Sequence, residues 1–241
     1  MIKVHFTGRL GNNMFQYCFG RILAEQMEYK LECPLIPYFK NAILIDGNII
    51  TNFIVIDRNF RGTIKDLLYW KNERGIILTG FYQNQSFYID KRNEIREWFK
   101  YDVKNKQSIL DNDIVLHIRR TDYYGNNSRL KLNFYTDILD NGKYNNIFIC
   151  GDEFDLETRE ILKRFNPIYV HESEIDDMMF ISQFNNIIMS NSTYAWWAAF
   201  LSFAKNIFYP IPKNDDAFFG KNSNQELYLK EFIKCEKLET F

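Results

Sequence analysis

Three short clusters in this 241-residue chain carry side chains that can hold a diphosphate and meet the charge that builds on it. The first is His117-Ile118-Arg119-Arg120-Thr121-Asp122-Tyr123. A guanidinium fork binds phosphate oxygens bidentately, and a second fork beside an aspartate can form an ion pair that fixes a loop. On a strand, alternation puts His117 and Arg119 on one face and Ile118 and Arg120 on the other, so the two arginines have different tasks. One is expected to clamp a diphosphate and the other to pair with Asp122; a solvated ion-pair patch is the plainer alternative. The second cluster is Gly151-Asp152-Glu153. A carboxylate there can accept two N–H bonds from a guanine edge, although Asp152 or Asp155 would serve equally as a helix N-cap. The third cluster, Ser190-Asn191-Ser192-Thr193, joins favoured capping residues to a helix start, where backbone N–H groups and the helix dipole seat an anion.

The elements needed to position these clusters are visible in the hydrophobic pattern. Apolar, β-branched runs at residues 114–118, 146–150, 168–170, 186–189 and 206–209 are separated in several places by helical patterns, one starting near Leu156. Strands alternating with helices predict a parallel sheet with right-handed crossovers, whose ligands sit outside the carboxyl ends of the strands. Each cluster follows such a run directly. An apolar helix over residues 194–204 is expected to lie inside this lobe. In the first half, Ile2, Val4 and Phe6 alternate as a strand, Gly8-Arg9-Leu10-Gly11-Asn12-Asn13 reads as a turn, and residues 14–28 as a helix. That turn either presents N–H groups to a ligand or carries glycines only for backbone geometry. Residues 31–75 offer short apolar stretches at 42–45 and 53–56 without a definite assignment. A buried strand is predicted over 75–80 and a charged helix over 90–99. The polar stretch 104–113 reads as a linker between two lobes, 1–108 and 109–241.

Composition excludes several classes. Apolar residues make up 46% and charged residues 25%, which is globular usage and rules out a disordered or collagen-like chain. Thirty Lys plus Arg against 31 Asp plus Glu leave a net charge of -1, so there is no broad positive field for a nucleic acid, while a small anion needs only a local cluster of donors. Cys18, Cys33, Cys150 and Cys235 include no C-x-x-C pair and read as reduced thiols. With no basic region and apolar stretch at the N-terminus and no apolar run near the ~20 residues of a span, a cytoplasmic protein is expected. A peripheral association with the inner face of the membrane stays open. The two Asn-x-Ser/Thr sites at Asn126 and Asn191 then stay unmodified.

On these residues the sequence resembles the α-1,2-fucosyltransferases. Gly8-Arg9-Leu10-Gly11-Asn12-Asn13-Met14-Phe15-Gln16-Tyr17 is similar to their G-G-L-G-N-Q-M-F-Q-Y segment, and Gly80-Phe81-Tyr82-Gln83 to their G-Y-F-Q turn. His117 to Tyr123 matches H-x-R-R-x-D-Y, and Ser190 to Leu201 matches S-N-S-T-F-S-W-W-A-A-W-L. The resemblance implies a GT-B glycosyltransferase, α/β with two Rossmann-like lobes and parallel sheets, the N-terminal lobe on the acceptor side and the C-terminal lobe binding GDP-fucose. It implies metal-independent inverting transfer of fucose to a glycan acceptor, at O2 of a galactoside, with no cofactor beyond the GDP-fucose donor.

The same resemblance assigns Arg119 to the β-phosphate, His117 to the nucleotide near guanine, Asp152 to the guanine edge and Ser190 with Ser192 to the phosphates. Arg120, Asn191 and Thr193 complete the donor-binding set. Asn12 matches an asparagine at the reaction centre, and Asn12, Asn13 and Gln16 form the acceptor-side set. Asp122 is the expected general base, a structural ion pair with Arg120 being its alternative. Arg9, Asn13, Thr121 and the triplet at 151–153 depart from the family pattern and bear on acceptor choice. Three rival readings are weaker. A serine hydrolase using Ser190 or Ser192 with His117 or His171 lacks the G-x-S-x-G elbow. A non-catalytic GDP-sugar-binding protein would not need the intact H-x-R-R-x-D, and a transferase using another GDP-deoxysugar is the alternative on the donor side. Asp111-Asn112-Asp113 could mimic a metal-binding D-x-D but precedes its strand and reads as a turn.

Overall fold

The computed structural model describes residues 1–104, 107–120, 130–151, 154–210, 227 and 229–235. Two compact units divide the chain, Met1–Tyr101 and Asp102–Phe241. Each is α/β and each is built on one all-parallel sheet.

In the first unit the elements are β1 (Ile2–Val4), α1 (Leu10–Met27), β2 (Leu31–Glu32), β3 (Phe53–Ile56), α2 (Ile64–Leu68), β4 (Gly75–Leu78) and α3 (Arg92–Trp98). The sheet order is β2-β1-β4-β3, so the chain moves one way from β1 and returns on its other side. α1 begins at Leu10 rather than at residue 14. Asn12 and Asn13 donate their backbone N–H groups to the Arg9 carbonyl at 2.9 and 3.1 Å, which draws the Gly-Asn-Asn segment into the first helical turn. The helix is buried almost all round, and it ends at Glu28, whose left-handed backbone returns its N–H to Ala24 and Glu25 carbonyls. α2 lies in the stretch that had no assignment and starts with a capping box between Thr63 and Asp66, a signal present in the sequence. The predicted helix over 90–99 is α3, with a short 3₁₀ turn, Ile89–Lys91, ahead of it.

The second unit runs β5 (Ile114–Ile118), α4 (Leu132–Asn141), β6 (Ile147–Gly151), α5 (Leu156–Leu162), β7 (Ile168–Val170), α6 (Glu174–Ile181), β8 (Asn186–Ile188), α7 (Thr193–Leu201), β9 (Asn206–Pro210) and β10 (Ile233–Cys235). The five predicted strands are present, and β10 adds a sixth. Their order, β10-β9-β8-β5-β6-β7, is the doubly wound order in which the first strand lies at the centre and the chain reverses beside it. β5 is buried along its whole length. Around it pack Ile149 and Ile188 from the neighbouring strands and Phe134, Tyr135 and Leu139 from α4. α7 is internal, as its composition demanded: Trp196, Trp197, Ala198 and Phe200 are fully buried.

Asp113 closes the amino end of this sheet. Its carboxylate accepts from the backbone N–H of Leu110 at 2.8 Å and from the backbone and side-chain N–H of Asn146 at 3.0 and 2.9 Å. The 111–113 segment is thus the turn its position implied. No helix among the described residues is long and apolar enough to cross a membrane.

The contact of α1 with its sheet sets a measurable limit. A Cβ on Gly20 would stand 2.4 Å from Val4 Cγ2 and 3.3 Å from Leu31 Cδ1, so the helix rests on β1 and β2 with no room for a side chain. Gly20→Val is expected to destabilise the chain by about 1–3 kcal/mol through overpacking, read as a lower denaturant midpoint with an unchanged slope.

Candidate functional site

Because every strand in the second unit runs the same way, all carboxyl ends open on one edge of the sheet, and the reversal of strand order falls between β5 and β8. The register Leu116↔Ile188 carries His117 and Met189, then Ile118 and Ser190, past the end of the pairing together. His117 is 6% exposed, and its Nδ1 lies 2.7 Å from Ser190 Oγ. Ser190 Oγ donates to Ser192 Oγ at 3.1 Å, and Ser192 Oγ accepts from the Ala195 backbone N–H at 3.1 Å, capping α7. The contact with Ser190 holds the His117 ring against the capped start of α7.

The ring of His117 leans on that of Tyr194, centroids 5.0 Å apart at 33°, and its carbonyl accepts from Tyr135 Oη at 3.1 Å. Tyr194 Oη donates to the Glu174 carbonyl at 2.5 Å, and burial pushes its phenol well above the ordinary range, so it stays protonated. Ser190, Asn191, Ser192 and Thr193 are all buried at this helix start. The structure therefore brings His117 and the 190–193 cluster to one place. Arg119 follows one residue beyond β5 and is half-buried.

Arg120 is turned elsewhere. Its side chain is 4% exposed, and Nη2 sits 3.1 Å from Asp155 Oδ2 and 2.6 Å from Glu157 Oε2. Asp155 also accepts from Thr158 N at 2.8 Å as the N-cap of α5, so one carboxylate both starts the helix and ties it to the loop after β5. The sequence held the cap but not the ion pair, since the two partners are 35 and 37 residues from Arg120 and share no local pattern with it. Asp122 and Asp152, expected as base and guanine contact, lie outside the described residues. Gly151 is required by close approach: a Cβ there would stand 2.2 Å from the Ile118 carbonyl oxygen.

Sequence reasoning gave Asp177 no part. It follows β7 on the same edge, 5% exposed, its Oδ1 accepting from Glu172 N at 2.9 Å and its Oδ2 3.3 Å from His171 Nδ1. Burial raises its carboxyl above the usual range despite the Glu172 N–H and His171, which act the other way. Its local signal is an aspartate in the first turn of α6, the same signal as any exposed cap.

The first unit has its own reversal, between β1 and β4. Gln16 spans it. Its Nε2 donates to Thr7 Oγ1 at 3.0 Å and the Gly80 carbonyl at 3.1 Å, and its Oε1 accepts from Thr7 N at 3.0 Å. The buried amide is thereby committed to holding the two loops together. Asn12 Oδ1 accepts from Gln83 Nε2 at 2.9 Å, and Gly8 takes a φ of 83° against it, a Cβ there being only 2.2 Å from Asn12 Nδ2. Asn13 Oδ1 is buried with no hydrogen-bond partner among the described residues.

A doubly wound sheet with a histidine, an arginine and a hydroxyl-capped helix start at its point of reversal is a nucleotide-type edge. The chain belongs to glycosyl transferase family 11, whose sequence model matches residues 57–236, and the protein is a glycosyltransferase. It is 24% identical to an alpha-1,2-colitosyltransferase of Escherichia coli, over 83% of this chain and 87% of that one. It is 22% identical to the O-antigen biosynthesis glycosyltransferase WbnK of Escherichia coli, over 92% of this chain and 82% of that one.

Two outcomes test the electrostatics of this edge. Arg120→Ala strands Asp155 and removes a buried cation from its pair, and is expected to cost about 2–4 kcal/mol of stability in denaturant unfolding. Asp177 binds its proton more tightly folded than unfolded, so its contribution to stability falls as pH rises from the unfolded value of about 4 through the raised folded one. Asp177→Asn is expected to be more stable than the parent at neutral pH, the gap closing on acidification, as read from unfolding midpoints across pH.

Proposed function

We propose that the protein transfers a 6-deoxyhexose from its GDP-activated form to a hydroxyl of a glycan, with inversion at the sugar carbon. L-fucose is the first candidate for the sugar and O2 of a galactoside for the acceptor site. The observation that carries this reading is the His117–Ser190–Ser192 chain at the β5/β8 reversal, which joins the H-x-R-R segment to the start of α7. In the transfer, the acceptor oxygen attacks the sugar carbon from the face opposite the diphosphate, the bond to the diphosphate oxygen breaks, and GDP leaves. The charge gathers on that diphosphate. Arg119 and the backbone N–H groups at Ser192 to Tyr194 are suited to receive it without a metal ion, each well-placed donor supplying about 3 kcal/mol.

His117 is proposed to contact the nucleotide near guanine. Asp152 is proposed for the guanine edge and Asp122 for the acceptor proton. On the first unit, Asn12 is proposed to serve the reaction centre and Asn13 the acceptor, while Gln16 supports them through the loops it joins. The GT-B arrangement of the two units belongs to the same proposal.

A second donor is favoured by one finding, the similarity to a colitosyltransferase. Colitose is fucose without its 3-hydroxyl group. A site that hydrogen-bonds this hydroxyl rejects the sugar lacking it strongly, whereas an apolar site separates the two only weakly. GDP-fucose and GDP-colitose, each offered with a panel of galactosides and followed by linkage analysis of the product, decide donor and acceptor. Free GDP that appears only with acceptor supports transfer, and release without acceptor points to hydrolysis. Binding that protects against unfolding with neither product points to a non-catalytic GDP-sugar-binding protein. Arg119→Ala is expected to lower kcat/KM at least about hundredfold with the unfolding midpoint unchanged, and near-normal turnover would remove Arg119 from the site.

A further inference from the structure

Aromatic rings crowd the turn after β4, and one of them is left out of the packing. Phe19 stacks on Tyr82 at 4.2 Å and 5°, and it meets Phe60 at 6.3 Å and Phe87 at 4.9 Å. Tyr88 lies 6.0 Å from Phe87 and 5.4 Å from Phe15. Phe81 stands between buried Gly80 and buried Tyr82, yet it is 38% exposed and makes no ring contact with any described residue.

The backbone keeps it there. Tyr82 has a φ of 53°, in the left-handed region that a bulky aromatic residue rarely enters, and its ring points inward onto Phe19. Tyr82 Oη donates to the Ile56 carbonyl at 2.6 Å and accepts from Gly80 N at 2.9 Å, while its carbonyl accepts from Tyr88 Oη at 2.6 Å. On one side of Phe81 the Gly80 carbonyl accepts from Gln16 Nε2 at 3.1 Å, and on the other Gln83 bonds to Asn12 at 2.9 Å. Phe81 is therefore carried by the carboxyl edge of the sheet at the β1/β4 reversal, where a doubly wound sheet takes its ligands. Backbone strain that so many contacts hold in place is a feature of ligand sites, and here what it leaves in solvent is a flat apolar ring.

We infer that Phe81 is an acceptor-binding residue whose ring is a platform for the apolar face of the acceptor's pyranose. The inference rests on the assignment of the first unit's edge to the acceptor made above. In a galactoside the axial O4 leaves the C–H bonds of C3, C4 and C5 together on the opposite face of the sugar. Those weakly positive C–H groups are attracted to the negative face of an aromatic ring. Stacked in this way, the sugar keeps its equatorial O2 at the rim of the contact, free to react. The Gln83–Asn12 amide pair, two residues further along the turn, supplies polar partners for the remaining hydroxyl groups.

Two substitutions separate the ring face from mere apolar bulk. Phe81→Leu keeps an apolar side chain and removes the face, whereas Phe81→Tyr keeps the face. With the donor and the panel glycoside that the parent uses best, Phe81→Leu is expected to raise the KM for the glycoside about tenfold. Its kcat, its KM for the GDP-sugar and its unfolding midpoint should stay close to the parent's, and Phe81→Tyr should match the parent throughout. A parent-like glycoside KM in Phe81→Leu overturns the inference. So does an equal loss in Phe81→Tyr, a rise confined to the KM for the GDP-sugar, or a loss that tracks a lowered midpoint. In each of those cases the parent still transfers and the transferase reading stands. A parent chain that transfers from neither GDP-fucose nor GDP-colitose to any glycoside removes the reading and the inference together.

Discussion

The parallel pairing of β5 with β8 is the constraint on which the second unit turns. It places the first and fourth strands of that unit side by side, with the chain running outward on both flanks, and so makes their carboxyl ends the switch point of the sheet. Two segments 73 residues apart in sequence then meet there through a 2.7 Å contact between His117 and Ser190. The hydroxyl relay from Ser190 to Ser192 does two jobs at once. It holds the His117 ring at Nδ1, and it starts α7, whose N–H groups at Ser192 to Tyr194 are the other half of the edge. A buried helix as apolar as α7 supplies a rigid base for that start, since its Trp196, Trp197 and Phe200 rings are packed on one another.

The two adjacent arginines illustrate how alternation divides labour. Arg120 is drawn into the protein, where a buried guanidinium must be paired, and Asp155 and Glu157 at the start of α5 provide the pairing. Its place next to Arg119 therefore couples the loop that carries the H-x-R-R segment to the helix behind it. The price of that coupling is a strand end with no slack: Gly151 tolerates no side chain against Ile118.

The first unit solves the same problem with amides in place of charges. Gln16 uses both ends of its side chain to join the loops after β1 and β4, and Gln83 bonds to Asn12. Amides make directional bonds without the desolvation cost of buried ions, which suits a loop pair that must be held still and stay neutral. The left-handed Tyr82 belongs to this device, because its own hydroxyl and ring fasten the turn after β4.

Much of this was legible from residue order. The β-branched runs marked β5 to β9 to within a residue or so, because buried parallel strands are continuously apolar and bounded by polar turns. The α/β class followed from their alternation with helices, and the Ser-Asn-Ser-Thr cluster announced the start of α7 because capping is a local interaction. The start of α1 was misplaced by four residues, since Gly-Asn-Asn has the composition of a turn and only its bonds to the Arg9 carbonyl make it helical. β2, an edge strand of two residues, is too short to show a period, and β10 went unseen as well. The amino-acid sequence by itself determined which groups stand at the ends of which strands. Tertiary structure alone decided that Arg120 meets Asp155, that Asp177 is buried beside His171, and that Gln83 reaches Asn12. Those partners are joined by sheet order and backbone direction, and neither quantity is written in any local run of residues.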